Sequence, residues 1–241
     1  MAINFVLKKT LFFIWMFICC SAANVFCQDT LLNKYGLLVI KDKRSFIETI
    51  KSNPDKQMMD VHKLIPSIVI ELKYATTKNF LHQKIYSSTK TTYLRKPAVI
   101  ALQQIQKELN EQGLGLKIFD AYRPYSITEK IWNKVKDENY AANPTNGSGH
   151  NRGAAVDVTL INLKTKKELN MGTGFDNFTD TAHKDFKNLP KAILKNRILL
   201  RTIMEKYGFK FLNSEWWHYS LPDAKNYELL DLSFEELKSL N

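Results

Sequence analysis

Apolar positions recur at helical spacing in several stretches of this chain and alternate in others. "PAVIALQQIQKELNEQG" (97–113) sets Ala101, Leu102, Ile105 and Leu109 on one face, with Pro97 suited to a first turn and Gly113 to a stop. The spacing predicts a helix there. A second follows in "ITEKIWNKVKDENY" (127–140), through Ile127, Ile131 and Val135, and a third in "PKAILKNRILLRTIMEKYG" (190–208). "SFIETIKSN" (45–53) reads as a shorter helix and "GLLVI" (36–40) as a short strand. "LGLKIFDAYRP" alternates into a strand ending at Pro124, and "AAVDVTLINL" is a β-branched strand followed by the turn "KTKKE". "FKFLNSEWWHYSL" is strand-like and aromatic, interrupted by an Asn-Ser turn. Helices and strands mix without strict alternation, which points to an α+β fold with an antiparallel β-sheet and flanking helices.

Neither a repeat nor a Pro/Gly/Ser-rich boundary divides the chain, so residues 28–241 read as a single domain, with 28–60 as an N-terminal extension. Residues 1–27 read separately. Lys8 and Lys9 precede "LFFIWMFICC", too short for a comfortable membrane span, and small residues follow in "SAA". That order predicts a secretory signal peptide cleaved after Ala23 or Cys27, and hence an exported protein, periplasmic before secreted or lipid-anchored, with no stable membrane span after cleavage. A lipid anchor on Cys27 is the second reading, against which Phe26 is bulky; an uncleaved anchor is the third.

Composition narrows the chemistry. The chain has 241 residues and all three of its cysteines, Cys19, Cys20 and Cys27, lie in the leader. Thiol catalysis and cysteine-ligated zinc are thereby excluded from the exported part. Losing Lys8 and Lys9 lowers the formal charge from +11 to +9, which reads first as a solvated basic surface and second as one favouring anionic cell-wall polymers or lipid head groups. Its lysines are dispersed and no recognition motif accompanies them, so no nucleic-acid partner is expected. The oligomeric state is not legible.

Of five histidines, two stand beside acids in compact contexts: His150 with Asp157 in "SGHNRGAAVD", and His218 with Glu215 in "EWWH". Two imidazoles and a carboxylate match the three protein ligands of catalytic zinc, leaving a spare carboxylate to move protons. Gly153, Ala154 and Ala155 would let backbone pass close behind the ligand loop. The competing reading, a hydrogen-bonded His–Asp pair, is the commoner use of such residues, and His62, His82 and His183 stay there. Trp216 and Trp217 read as packing residues, one of them buried by strand alternation. Arg123, held against Pro124, is either in a surface ion pair with Asp120 or a fixed cation facing an oxyanion.

Together these motifs carry a resemblance. "SGHNRGAAVD" is similar to the S-x-H-x-x-G-x-A-x-D signature of the D-Ala-D-Ala metallopeptidases, a hedgehog-like superfamily, and "EWWH" to their E-x-x-H. "KYATTKNF", "DAYRP", "MGTGFD" and "NRILLRTIMEKYGF" resemble the D-alanyl-D-alanine dipeptidases of the vancomycin-resistance type, from about Val61 to about Leu221. The resemblance implies one Zn2+ per chain on His150, Asp157 and His218, Glu215 as general base and acid, and Arg123 stabilising the tetrahedral intermediate. It places Ser148, Asp176 and Tyr74 among the groups that hold the termini of the D-Ala-D-Ala substrate. Two rivals stay open: a D,D- or L,D-carboxypeptidase trimming peptidoglycan stem peptides, and a non-catalytic zinc-binding interaction module of the hedgehog kind. An exported enzyme cannot reach the cytoplasmic D-Ala-D-Ala pool, which implies cell-wall peptide turnover or scavenging rather than resistance.

Overall fold

The computed structural model describes residues 32–87 and 89–241, so the leader expectation for residues 1–27 lies outside it. In chain order the elements are β1 (Val39–Ile40), α1 (Lys43–Ser52), β2 (Met58–Asp60), α2 (Val61–Leu64), β3 (Val69–Ile70), β4 (Tyr93–Arg95), α3 (Lys96–Glu111), β5 (Leu114–Asp120), α4 (Tyr125–Val135), β6 (Ala155–Asn162), α5 (Lys191–Lys206), β7 (Lys210–Leu212), β8 (Glu215–Ser220), β9 (Leu229–Leu230) and α6 (Phe234–Lys238). The expected α+β architecture is present. Its main sheet has the order β3-β5-β6-β8-β7. The β5–β6, β6–β8 and β8–β7 pairs are antiparallel, as expected, whereas β3 joins the edge parallel to β5.

The long helices form where the apolar stripes predict. In α3, Leu102, Ile105 and Leu109 are fully buried, each worth about 1.5–3 kcal/mol of transfer free energy. Glu108 of α3 accepts from Lys206 and from Tyr207 at the end of α5, tying the two helices together. One helix ends earlier than its pattern suggests: α4 stops at Val135, because Lys136 turns left-handed (φ 51°) and donates its N–H to Trp132. "KDENY" is therefore loop, not helix.

Within the segment read as an N-terminal extension, residues 39–60 pair and pack with the rest of the described chain. β1 runs parallel to β9, β2 pairs with β4, and Phe46 of α1 is buried in the core. Arg95 is wholly buried and binds the carbonyls of Lys56, Arg152 and Glu228, joining this segment to the loop before β6.

What positions the site is a single row across the sheet. Asp157 on the central strand β6 is in register with Asp120 of β5 on one side and His218 of β8 on the other. Both flanking strands are irregular. On β5, Phe119 is an extra residue between the Ile118–Val158 and Asp120–Asp157 pairs. On β8, four residues of advance, from Tyr219 back to Glu215, match a single step on β7, from Phe211 to Leu212. Such bulges re-aim side chains.

Candidate active site

A regular strand would send residues three apart to opposite faces. The β8 bulge removes that obstacle, and Glu215 and His218 line the same cavity, of about 280 Å3. Arg123, Ser148, His150, Asp157, Asp176 and Tyr74 line it too, so the structure brings together all eight residues expected to bind metal, bind substrate or catalyse. His62 and His82 are exposed, and His183 pairs loosely with Asp180 at 3.8 Å, all away from it.

His150 comes from the turn before β6. Its Nδ1 lies 2.8 Å from the Ala121 carbonyl, to which it donates, and this leaves the Nε2 lone pair free for an ion. The turn needs its small residues: a Cβ on Gly149 would meet that of Ala155 at 2.7 Å, and Gly153 has φ +65°. Nε2 of His150 lies 3.2 Å from His218 Nδ1 and 3.4 Å from Asp157 Oδ2, and His218 Nδ1 lies 2.9 Å from Asp157 Oδ1. Tetrahedral zinc with ordinary bond lengths separates its donor atoms by ~3.3–3.5 Å. The three groups therefore fit one ion, and their chemistry, two nitrogens and a carboxylate oxygen, suits zinc. Burial opposes charge on Asp157, but His150 and His218 outweigh it and hold the carboxyl below its ordinary range. Burial works against a charged His218 as well, yet Asp157 raises its pKa.

Glu215 stands beside this trio without joining it. Burial raises its pKa, only partly opposed by His218, which suits a carboxyl that must both take and give a proton. Arg123 is buried, not in a surface ion pair as one reading had it. Its Nε and Nη2 donate to Asp120 Oδ2 at 2.8 and 2.5 Å, and Asp120 is itself fully enclosed. Burial would lower the Arg123 pKa, but Asp120 raises it further, so the cation is permanent. Tyr86 donates to the other oxygen of Asp120 at 3.0 Å. The sequence offered no signal for Tyr86, which comes from a loop.

At another part of the wall, Asp176 adopts φ +58° and accepts from the Tyr74 hydroxyl at 3.1 Å and the Phe80 N–H at 3.3 Å. Burial pushes its pKa up to about 8. Ser148 and Asn151 exchange hydrogen bonds, Asn151 Oδ1 accepting from the Ser148 N–H at 3.0 Å and Ser148 Oγ from the Asn151 N–H at 3.2 Å. Phe178 and Tyr140 continue the wall from Asp176. Phe80 meets Phe178 edge-to-face at 5.2 Å, and Phe178 meets Tyr140 at 5.0 Å, bridging two loops. Both Trp216 and Trp217 are buried, where alternation predicted one: Trp217 packs on Phe175, while Trp216 donates its Nε1–H to Thr173.

Comparison with known proteins gives the family. A family described as D-Ala-D-Ala dipeptidase, Peptidase_M15, matches residues 54–238. The D-alanyl-D-alanine dipeptidase of Escherichia coli K12 is 38% identical over 174 residues, 72% of this chain and 89% of its own. That of Enterococcus faecalis V583 is 34% identical, covering 64% and 85%, and that of Streptomyces coelicolor 31%, covering 68% and 90%.

Proposed function

The chain belongs to the D-Ala-D-Ala dipeptidase family of metallopeptidases, and on that premise we propose that it hydrolyses the free dipeptide D-Ala-D-Ala to two D-alanines, using one zinc ion. The observation that carries this reading is the convergence of His150, Asp157 and His218 within ligation distance, beside the half-buried Glu215 carboxyl, which lines the same cavity. The three would hold the ion, which when bound polarises the scissile carbonyl and acidifies water.

The remaining steps belong to the protein. Glu215 accepts a proton from the attacking water as the new C–O bond forms, and returns it to the leaving nitrogen as the C–N bond breaks. Arg123, locked by Asp120, faces the oxygen on which negative charge develops; a fixed donor of this kind is worth about 3–4 kcal/mol. Asp176, already seated against Tyr74, suits the substrate ammonium, whose arrival favours the ionised carboxylate, and Ser148 offers a neutral hydroxyl. A longer peptide would leave a buried charged group unpaired and would meet the Phe178–Tyr140 wall.

The test is hydrolysis of D-Ala-D-Ala and of a muropeptide ending in D-Ala-D-Ala, with and without chelator, followed by zinc add-back. D-alanine released from the dipeptide, lost on chelation and restored by zinc, is expected. Release from the muropeptide alone would instead favour a stem-peptide carboxypeptidase, and no release a binding module. The leader pattern at residues 1–27 supports export and a role in cell-wall peptide turnover or scavenging. N-terminal sequencing of the protein from the periplasmic fraction checks that.

A further inference from the structure

A second cavity, of about 310 Å3, shares Leu212 and Glu215 with the first and contains none of the three proposed metal ligands. Its wall carries four cations, Lys184, Lys187, Arg197 and Arg201, against two acids, Asp185 and Glu215. Little neutralises them. Asp185 is exposed and comes no nearer than 4.0 Å to Lys184, and Arg201 meets Glu205 at 3.8 Å in a half-open i,i+4 pair of small worth.

Arg197 decides the matter. It is only 8% exposed, and its guanidinium donates to the carbonyls of Met171, His183 and Thr181 at 2.7, 3.2 and 2.9 Å. Five N–H groups are available on a guanidinium, so two remain, and among the described residues no carboxylate lies within ion-pairing distance. A buried charge without a counter-ion is costly unless something supplies one. Below the cations the wall is apolar. Lys184 lies over the Phe211 ring at 4.2 Å, Trp216 and Tyr219 contribute further rings, and Ile198 and Leu212 stand 53% and 41% exposed.

We infer that this cavity binds a small amphipathic carboxylate, its head among Lys184, Arg197 and Arg201 and its apolar body on the Phe211–Trp216 floor. Because Leu212 and Glu215 line both cavities, the ligand lies directly behind the catalytic strand.

Calorimetric titration of the metal-loaded chain with octanoate, and with the neutral octanamide, tests the inference. Saturable octanoate binding is expected, at least tenfold tighter than octanamide. Lys184→Ala combined with Arg201→Ala should weaken it at least tenfold while D-Ala-D-Ala turnover stays near the parental rate. Ile198→Glu, an acid on the exposed rim, should weaken it as well. The absence of saturable binding, equal affinity for octanamide, or octanoate binding unchanged in the double variant and in Ile198→Glu overturns the assignment.

Discussion

At the scale of single residues, the catalytic candidates divide by what holds them. Asp157, His150 and His218 lie within hydrogen-bonding or ion-pairing distance of one another, whereas half-buried Glu215 is subject to desolvation and to the charges of His218 and Asp157. Glu215→Gln should leave metal content intact and cut kcat by about 10²–10⁴; kcat measured against bound zinc per chain checks the separation. Asp176 makes a different prediction. A carboxyl held at about 8 by burial, against an ordinary ~3.9, keeps its proton when folded. Its contribution to stability is full at low pH and drains away as pH climbs through that window. Asp176→Asn cannot ionise, so in ligand-free protein the parental Tm should fall relative to the variant between those pH values; parallel Tm–pH curves would remove the effect. The candidate ligands and the proposed base stood out in the sequence because their residue types and short spacings are chemically unusual. Burial of the Arg123–Asp120 pair was not, since nothing local says that a Tyr86 hydroxyl will close over it.

At the scale of elements, apolar periodicity foretold α3 and α5 to within about two residues at either end and missed the end of α4, where one left-handed lysine outweighs a good helical stripe. Helix α6, opened by a capping box of Ser233 with Glu236, is too short for periodicity to flag. Bulges were invisible: they depend on register with a neighbouring strand, which no single segment encodes. The turn carrying His150 gives the sharpest element-level prediction. Ala155 cannot retreat from a Cβ on Gly149 at 2.7 Å without shifting β6. Gly149→Ala should destabilise by about 1–3 kcal/mol and weaken zinc binding, read by urea unfolding and by competition with a chromophoric chelator. The Phe178–Tyr140 contact is the corresponding element for substrate length: Tyr140→Ala should raise kcat/KM for a tripeptide ending in D-Ala-D-Ala relative to the dipeptide.

At the scale of the whole molecule, the sequence indicated one α+β body with residues 28–60 as its N-terminal extension, and the pairing of β1 with β9 leaves no local trace in two-residue strands. Phe46 reports on that integration. Phe46→Ala should cost about 3–5 kcal/mol in urea unfolding, although the residue is remote from the metal ligands in sequence. The row Asp120–Asp157–His218 has a last consequence. Pairing of β6 with β8 runs from Ala155–Ser220 only as far as Asp157–His218. The proposed ion would therefore act as a clasp on a zipper at its open end, tying the two ribbons where the amide rungs run out. Stripping it should let deuterium enter the Trp216 and Trp217 amides long before it reaches the middle of β6, so demetallation would loosen the catalytic edge while the rest of the body stays shut.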